Sequence, residues 1–250
     1  YVINGSKIWT SGAHYAEMGF FLVRTDPEQK GARGLSMLIV DMKTPGITVR
    51  PIVSLDGVKH LNEVFLTDVQ VPRENLIGEE NKGWTYARAL LTNERAGSSF
   101  IYWSRERLKR ARQFAEKEML EGKPLSEDPE FARRLARAEM LLIAHEWSVL
   151  RVLCNEESAY ADSAVAAVIK IRGAQLQQLV MELTMDVLGP HGLRFFTREE
   201  DWKGAYEESP EWPTYTRGPT GAYLMSRAAT IYGGAAQIQR SLIARTAFGL

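Results

Sequence analysis

Residues 65–72 read FLTDVQVP, and the character of the chain changes where they end. Upstream, short runs rich in β-branched and aromatic residues occupy 20–24, 35–40, 47–51 and 62–69. Turn-forming pairs such as Asp26-Pro27 and Asp56-Gly57 separate these runs. Several short strands with no long helix between them predict an antiparallel sheet or a small β-barrel.

Downstream of Pro72 the apolar residues recur at helical spacing. This spacing predicts helices over 83–117, 128–155 and 163–188, a long loop over 189–221, and a last helix in two parts, 223–231 and 235–248. We therefore predict an α+β chain. An antiparallel β-barrel-like domain covers 1–73, and an antiparallel helical bundle of the four-helix type covers 74–250.

The first nine residues predict a β-hairpin. Asn4-Gly5 stands between two runs that favour strands, and both residues of such a turn must accept a positive φ. The first arm would be only three residues long, which leaves little ladder to hold it. We therefore expect further residues upstream of this chain, with a short native edge strand as the alternative.

Charge and composition exclude several classes of protein. Lysine plus arginine and aspartate plus glutamate number 31 each, so no net field favours nucleic acid or an anionic membrane surface. The single cysteine, Cys154, excludes an internal disulfide framework and fits a reducing compartment. No apolar run is long enough to span a membrane, and the four histidines lack metal-ligand spacing. We expect a soluble, cytoplasmic protein without a metal site.

Glu94 is the first candidate for chemistry. In a helix over 83–117, apolar residues lie one turn before it, and Gly97 and Ser98 lie after it on the same face. A carboxylate on an apolar face is costly to ionise, so its pKa should rise towards the range of a general base near neutral pH. The alternative is a carboxylate paired with a structural arginine such as Arg95.

Two further segments can carry chemistry. Gly233-Gly234 stands between helical stretches, where each glycine costs about 1 kcal/mol relative to alanine. N–H groups at the start of the next helix can bind an oxygen anion or a polarised carbonyl, although a plain turn is the alternative. In Trp9-Thr10-Ser11-Gly12 an aromatic ring followed by hydroxyls can flank a planar cofactor. A tryptophan buried in the core is the alternative there.

Taken together, these segments resemble the acyl-CoA dehydrogenase family over the whole chain. Residues 1–11, YVINGSKIWTS, resemble the signature of its middle β-barrel. FLTDVQVP resembles its exit from the barrel, and Gly83-Trp84 the start of its long helix. Residues 230–240, TIYGGAAQIQR, are similar to its closing signature. The family's N-terminal helical domain and first barrel strands have no counterpart here.

The resemblance implies a non-covalently bound FAD. By motif position, Trp9 would flank the isoalloxazine ring and Ser11 would bond near its N5. Residues 188–192, LGPHG, would reach the adenine half of FAD from a neighbouring subunit, with Pro190 replacing the family's second glycine. Ala235 stands where a threonine or serine often touches the cofactor. The cofactor-binding residues implied are Trp9, Thr10, Ser11, Gly189, His191, Gly192, Gly234, Ala235 and Gln237.

The resemblance also implies a mechanism. Many members carry the catalytic glutamate directly after the closing tyrosine, where this chain has Gly233. A minority, including isovaleryl- and long-chain-type enzymes, place it on the long helix before an arginine, as in Glu94-Arg95. Glu94 would then remove the α-proton of an acyl-CoA while the β-hydride passes to flavin N5. The Gly233 N–H would polarise the thioester carbonyl, and Arg95 would orient the region.

The expected partners follow from the same resemblance. Electrons would leave through an electron-transfer flavoprotein, and the protein would be a homo- or heterotetramer in fatty acid or steroid side-chain β-oxidation. The family's Arg-x-x-Phe-Gly flavin contact is not recognisable, since Arg112-Gln113-Phe114-Ala115 is a poor substitute. Two alternatives remain open. One is a non-catalytic structural subunit of a heteromeric acyl-CoA dehydrogenase, and the other is a flavin oxidase or monooxygenase on the same scaffold.

Overall fold

The computed structural model describes residues 1–97, 100–154, 163–195 and 213–250, with side chains in all of these ranges except 92–97 and 163. The chain divides into two compact units, Tyr1–Leu91 and Thr92–Leu250. The strands of the larger sheets lie in the first unit, and most of the helical residues lie in the second. The α+β class predicted from the sequence is confirmed.

The first unit, which we call the β unit, is built from two antiparallel sheets. Its strands are β1 (Val2–Lys7), β2 (Met18–Arg24), β3 (Leu35–Asp41), β4 (Ile47–Ile52) and β5 (Leu61–Gln70). One sheet has the order β1-β5-β4, and the other pairs β2 with β3. Both sheets contribute to one core around Leu38, Val64 and Val69. The Lys7 ammonium of β1 also donates to the Leu22 carbonyl of β2 at 2.7 Å.

The predicted hairpin at Asn4-Gly5 is wrong, because β1 is a single strand paired with β5. The register shifts between Ile3 and Gly5, which marks a β-bulge. Opposite it, Asp68 takes a left-handed φ of 49°. The Asn4 side chain accepts the Asp68 N–H at 2.8 Å and donates to its carboxylate at 2.9 Å. A partner strand about sixty residues away decides this conformation, and a local turn rule does not take it into account.

The helical elements begin within the β unit. The helices are α1 (Gly83–Gly97), α2 (Ile101–Ala115), α3 (Pro129–Leu153), α4 (Ser163–Leu188), α5 (Pro219–Ser226) and α6 (Ala236–Phe248). A small hairpin, β6 (Met119–Leu120) with β7 (Lys123–Pro124), follows α2. Short 3₁₀ segments occur at Arg73–Asn75, Leu125–Glu127, Gly189–Leu193, Thr214–Thr216 and Arg227–Thr230.

The prediction of one helix over 83–117 is wrong. α1 ends at Gly97 and α2 begins at Ile101. Phe100 between them has a φ of 55°, in the left-handed region, which a continuous α-helix does not contain. Gly97 is a poor helix former and favours an end at this point. The apolar period continues across the break, so periodicity alone could not reveal it.

The other long helices are confirmed. α3 begins where the Asp128 carboxylate accepts the Phe131 N–H at 2.7 Å, with Pro129 in the first turn. α4 coincides with the prediction over 163–188. The last helix differs in its first part, because α5 starts at Pro219 and gives way to a 3₁₀ segment after Ser226. Most of the predicted loop, residues 196–212, lies outside the described residues.

The core of the second unit, which we call the helical unit, forms around α4. This helix packs against α2, α3, α5 and α6. Its buried residues include Val180 and Leu183, which join Leu108 of α2 and Leu142 of α3 in one apolar cluster. A helix covered on several sides can be apolar around most of its circumference, which explains the apolar composition of α4. α4 is therefore the support against which the chain's closing segment is placed.

Candidate active-site segments

The segment from Trp9 to Gly12 follows β1 and exposes two of its side chains. Trp9 takes a left-handed φ of 63°, and its side chain is 61% exposed. The alternative of a core tryptophan is therefore wrong in this chain. Ser11 is exposed as well. The arrangement offers an indole face and a hydroxyl to a ligand, which fits the predicted flavin contact.

The backbone of this segment is held by residues that precede and begin β5. The Thr10 N–H donates to the Asn62 carbonyl at 3.0 Å, and the Gly12 N–H donates to the His60 carbonyl at 2.9 Å. The fully buried Asn62 side chain also donates to the Thr10 carbonyl at 2.9 Å. Sequence reasoning missed Asn62, because one asparagine at the start of a β-run carries no distinguishing signal.

The closing segment lies in the helical unit, between the 3₁₀ segment Arg227–Thr230 and α6. Gly233 and Gly234 have φ values of 64° and 96°, which glycine adopts far more readily than other residues. A Cβ added to Gly234 would lie 2.1 Å from the amide nitrogen of Gln239, a side chain that is 2% exposed. Gly234 is therefore needed both for its conformation and for the space that Gln239 fills.

The start of α6 has no side-chain cap. Ala235 is its N-cap residue, and it has no oxygen to accept an N–H from the first turn. Those N–H groups have no partner inside the helix, and they carry the positive end of its dipole. Ala235, Gln237 and the two glycines thus lie together at a helix start that can bind an anionic or polarised oxygen.

Two ionisable groups adjoin the closing segment, the buried Lys170 and the more exposed Tyr232. The Lys170 side chain of α4 is 1% exposed, and its ammonium donates to the Ala229 carbonyl. The same nitrogen lies 5.5 Å from the centroid of the Tyr232 ring. Burial lowers the pKa of the Lys170 amine and raises the pKa of the Tyr232 phenol. Sequence reasoning missed Lys170, because it is one of several polar residues along α4.

The turn at Gly189–Leu193 follows α4 and is anchored inside the helical unit. His191 Nδ1 lies 2.8 Å from the Glu118 carboxylate, and the Tyr215 hydroxyl donates to the same carboxylate oxygen at 3.1 Å. Burial, together with the Glu118 charge, raises the pKa of Tyr215 to about 12. Gly192 is buried, and its carbonyl accepts the Thr220 hydroxyl at 2.9 Å. These contacts hold the turn for which the family resemblance implies a contact with FAD.

The side chains of Glu94 and Arg95 lie outside the described residues, so their roles stay predictions. Their backbone belongs to α1. Leu90 and Leu91, one turn earlier, are 49% and 45% exposed in this chain. The face of α1 around Leu90 and Leu91 therefore becomes less exposed to water only when a ligand, another part of the protein or a partner covers it.

Two cavities of the described residues lie away from these segments. A cavity of about 520 Å³ in the β unit lies between β1 and β2, and one of about 350 Å³ lies between α3 and α4. Neither is lined by a predicted site residue. In the described part of the chain, no three metal-ligating side chains converge. None of the helices there combines the length and apolar character that crossing a bilayer requires.

Comparison with known proteins identifies the family. The model of the acyl-CoA dehydrogenase middle domain matches residues 1–69, and the model of the acyl-CoA dehydrogenase C-terminal domain matches residues 81–248. This chain belongs to the acyl-CoA dehydrogenase family. The resemblance seen in the sequence is thus confirmed.

Relatives and solved structures of acyl-CoA dehydrogenases align along this chain. It is 34% identical to acyl-CoA dehydrogenase IpdE1 of Mycobacterium tuberculosis, over 100% of this chain and 60% of the relative. The ChsE4-ChsE5 complex of the same organism aligns with a TM-score of 0.78 at 27% identity, covering 100% of this chain and 61% of that one. An acyl-CoA dehydrogenase of Geobacillus kaustophilus gives 0.82 at 25% identity, with 99% and 61% covered. The chain spans about 60% of the length of the curated relative IpdE1.

Proposed function

We propose that the protein containing this chain is an FAD-dependent acyl-CoA dehydrogenase that introduces a double bond between Cα and Cβ of an acyl-CoA. Family membership supports the reaction class. The observation that carries the assignment is the left-handed turn at Gly233-Gly234, which leads into the uncapped start of α6. Such a turn exposes N–H groups to a substrate oxygen.

Glu94 is proposed as the base that removes the α-proton. The closing segment has Gly233 after Tyr232, so it offers no carboxylate at that position. Glu94 precedes Arg95 on α1, the order found in members that carry the base on this helix. A positioned general base typically accelerates proton transfer by about 10²–10⁴-fold. Arg95 is proposed to orient this stretch of α1.

The Gly233 N–H is proposed to donate to the thioester carbonyl. Removing the α-proton shifts negative charge onto that oxygen, and preorganised donors stabilise the charge more in the transition state than in the ground state. The dipole of α6 adds a positive potential at the same end of the helix. A side chain at position 234 would have to displace the Gln239 amide and adopt a φ of 96°.

The residues of the two other segments fit an FAD. When bound, FAD supplies the N5 atom that accepts the β-hydride. Trp9 is exposed, as a residue flanking a planar ring must be, and Thr10 and Ser11 follow it on a backbone pinned by Asn62. Gly189, His191 and Gly192 are proposed to reach the adenine half of an FAD held by a neighbouring subunit. The Glu118 carboxylate fixes His191 for this contact.

A tetramer, homo- or heteromeric, is proposed from the outer face of α3. Four large apolar side chains recur there at helical spacing and are 42–69% exposed: Met140, Ile143, Trp147 and Leu150. Contiguous apolar patches of several hundred Å² on a soluble protein mark interaction surfaces. An electron-transfer flavoprotein is proposed as the electron acceptor. The pathway is proposed to be the β-oxidation of a fatty acid or a steroid side chain.

A structural subunit is the second candidate function, and one observation favours it. The remnant of the flavin-contacting motif serves the bundle here, because the Arg112 guanidinium pairs with Glu139 of α3 and Phe114 is buried beside Tyr215. A partner subunit would then have to supply flavin contacts. This function predicts a colourless protein when the complete gene product is purified alone.

Anaerobic titration of the complete gene product with a panel of acyl-CoAs tests the proposed function. The expected result is a yellow protein whose flavin absorbance bleaches with at least one thioester and recovers with an electron acceptor. A colourless protein that acquires flavin only with a second subunit would support the structural function. Rapid reoxidation of the reduced flavin by oxygen would instead support an oxidase or monooxygenase.

A further inference from the structure

Lys170 is a fully buried lysine on α4. Its side chain is among the largest fully buried ones in the chain. Among residues with described side chains, no carboxylate lies within ion-pair distance of its ammonium. Buried charges are normally paired, because desolvating an ammonium group costs several kcal/mol. Among the described side chains and backbone groups, the contacts of the Lys170 ammonium are to a carbonyl and an aromatic ring instead of a carboxylate.

The ammonium group contacts the chain just before the closing turn. It donates to the Ala229 carbonyl, in the last turn of the 3₁₀ segment Arg227–Thr230. Carbonyls at a helix end lack intrahelical partners, so this bond satisfies one of them. The 5.5 Å distance to the Tyr232 ring centroid lies within the range of a cation–π contact. Tyr232 is bonded directly to Gly233. Lys170 therefore contacts the chain at Ala229 and again at the residue next to Gly233.

A neutral side chain on the same helix also donates to backbone carbonyls nearby. The Gln178 amide, two turns further along α4, donates to the carbonyls of Ser226 and Arg227 at 3.2 and 3.3 Å. Satisfying carbonyls at the end of α5 therefore does not require a charge. At Lys170 the charge is the additional property, and it lies beside the residue that precedes Gly233.

We propose that Lys170 is a positioning residue for the Gly233 N–H, holding the turn through Ala229 and Tyr232 and adding positive potential where the thioester oxygen gains charge. This inference rests on the proposed function, since it needs Gly233 to face that oxygen. The effect of a nearby charge is large in a buried site, because the effective dielectric constant there is well below that of water.

The test uses the full-length protein with its flavin bound and a 2-enoyl-CoA labelled with ¹³C at the thioester carbonyl. The infrared difference spectrum gives the carbonyl stretch, which moves to lower frequency when the oxygen is polarised. Lys170→Met removes both the donor and the charge, whereas Lys170→Gln keeps a donor for Ala229 without the charge. Lys109→Met is the matched control, because Lys109 is exposed on α2.

The carbonyl band should shift in wild type and in Lys170→Met should lose at least about half of that shift. In the same variant kcat should fall about 10-fold with KM within about twofold, a smaller loss than that of an oxyanion-hole donor itself. Lys170→Gln should behave like Lys170→Met although its Tm stays close to wild type. If Lys170→Met does not fold, the band and kcat of Lys170→Gln decide the question.

The outcomes separate the two proposals. A wild-type shift that persists in Lys170→Gln, with kcat unchanged, overturns the role of Lys170 and leaves the proposed function intact. A wild-type protein whose carbonyl band does not move, although the thioester binds, removes the role of Gly233 and the inference built on it. A loss of the same size in Lys109→Met would also overturn the role of Lys170.

Discussion

The Trp9–Gly12 segment and the closing segment around Gly233 are held in place by opposite means. In the first, an ordinary residue is kept in a left-handed conformation by bonds to a strand about fifty residues away. In the second, glycines adopt left-handed conformations at little cost. The buried Lys170 side chain donates to the preceding Ala229 carbonyl, and the buried Gln239 side chain fills the space beside Gly234. The left-handed backbone of the first segment is held by long-range bonds, whereas the glycines of the second permit it locally, even though Lys170 supports that segment from a distance. Substitutions in the two segments should therefore have different effects on the free energy of unfolding and on FAD binding.

The largest effect on stability is expected from Gly234→Ala. The new Cβ would meet a buried amide at 2.1 Å, in a backbone of φ 96° that disfavours any side chain. We expect a loss of about 2–4 kcal/mol in the free energy of unfolding, measured by denaturant titration. Gly122→Ala is the control, since its φ is 81° and nothing lies within 4 Å, so only the conformational cost of about 1 kcal/mol applies. Equal losses in both variants would contradict the role of Gln239.

Asn62→Ala should be next in size. The substitution leaves the Thr10 carbonyl without the Asn62 amide as its donor. Loss of the partner of a buried polar group lowers the free energy of unfolding by about 1–3 kcal/mol. Because this anchor holds the Trp9 segment, the variant should also release FAD more readily, measured by equilibrium dialysis. Asn75→Ala is the control, because that amide donates to the Ile39 carbonyl outside the segment. If FAD binding is weakened in Asn75→Ala but not in Asn62→Ala, Asn62 does not hold the Trp9 segment for FAD.

Tyr215→Phe tests the anchor of the turn at Gly189. Losing the bond to Glu118 should cost about 1 kcal/mol at neutral pH. The folded pKa of Tyr215 is raised from 10.0 to about 12, so the folded chain binds more protons than the unfolded chain between these values. The stabilisation is therefore complete below pH 10 and is lost as the pH rises towards 12. Tyr215→Phe should flatten the stability profile in that window, and Tyr102→Phe, at an exposed ring, is the control.

The smallest effect on folding is expected from Trp9→Gly. The indole is largely exposed, so its removal should change the free energy of unfolding by no more than about 0.5 kcal/mol. Glycine also relieves the left-handed strain, which should add up to about 1 kcal/mol of stability. Trp9→Ala is the matched control, because it removes the ring but retains the Cβ. Both variants should bind FAD more weakly, and a stability loss above 1 kcal/mol in either would show a packing role for the indole.

The sequence predicted those features whose causes are local. The start of α3 next to Asp128, the extent of α4 and the glycine break before α6 were all recognisable from neighbouring residues. The predictions failed where distant partners decide the conformation, as at Asn4-Gly5, where β5 supplies the pairing. The break before Phe100 was missed because the apolar period runs through it.

The same distinction applies to the candidate site. Motif positions indicated Trp9, Gly233 and their neighbours, because the chemistry of these segments depends on residue types at fixed spacing. The supports were missed, since Asn62, Lys170 and Glu118 lie far along the chain from the segments that they hold. A residue that acts through a contact between distant elements has no signature in its own neighbourhood.

The central claim is that Glu94 is the base of an acyl-CoA dehydrogenase, and single-turnover flavin reduction tests it most directly. The full-length Glu94→Gln variant is mixed anaerobically with an acyl-CoA that bleaches the wild-type flavin, and Glu116→Gln serves as the control for an exposed glutamate. We predict that Glu94→Gln binds the thioester but reduces its flavin at least about 100-fold more slowly, while the control reduces at the wild-type rate. Flavin reduction in Glu94→Gln at a rate close to that of wild type would contradict the claim.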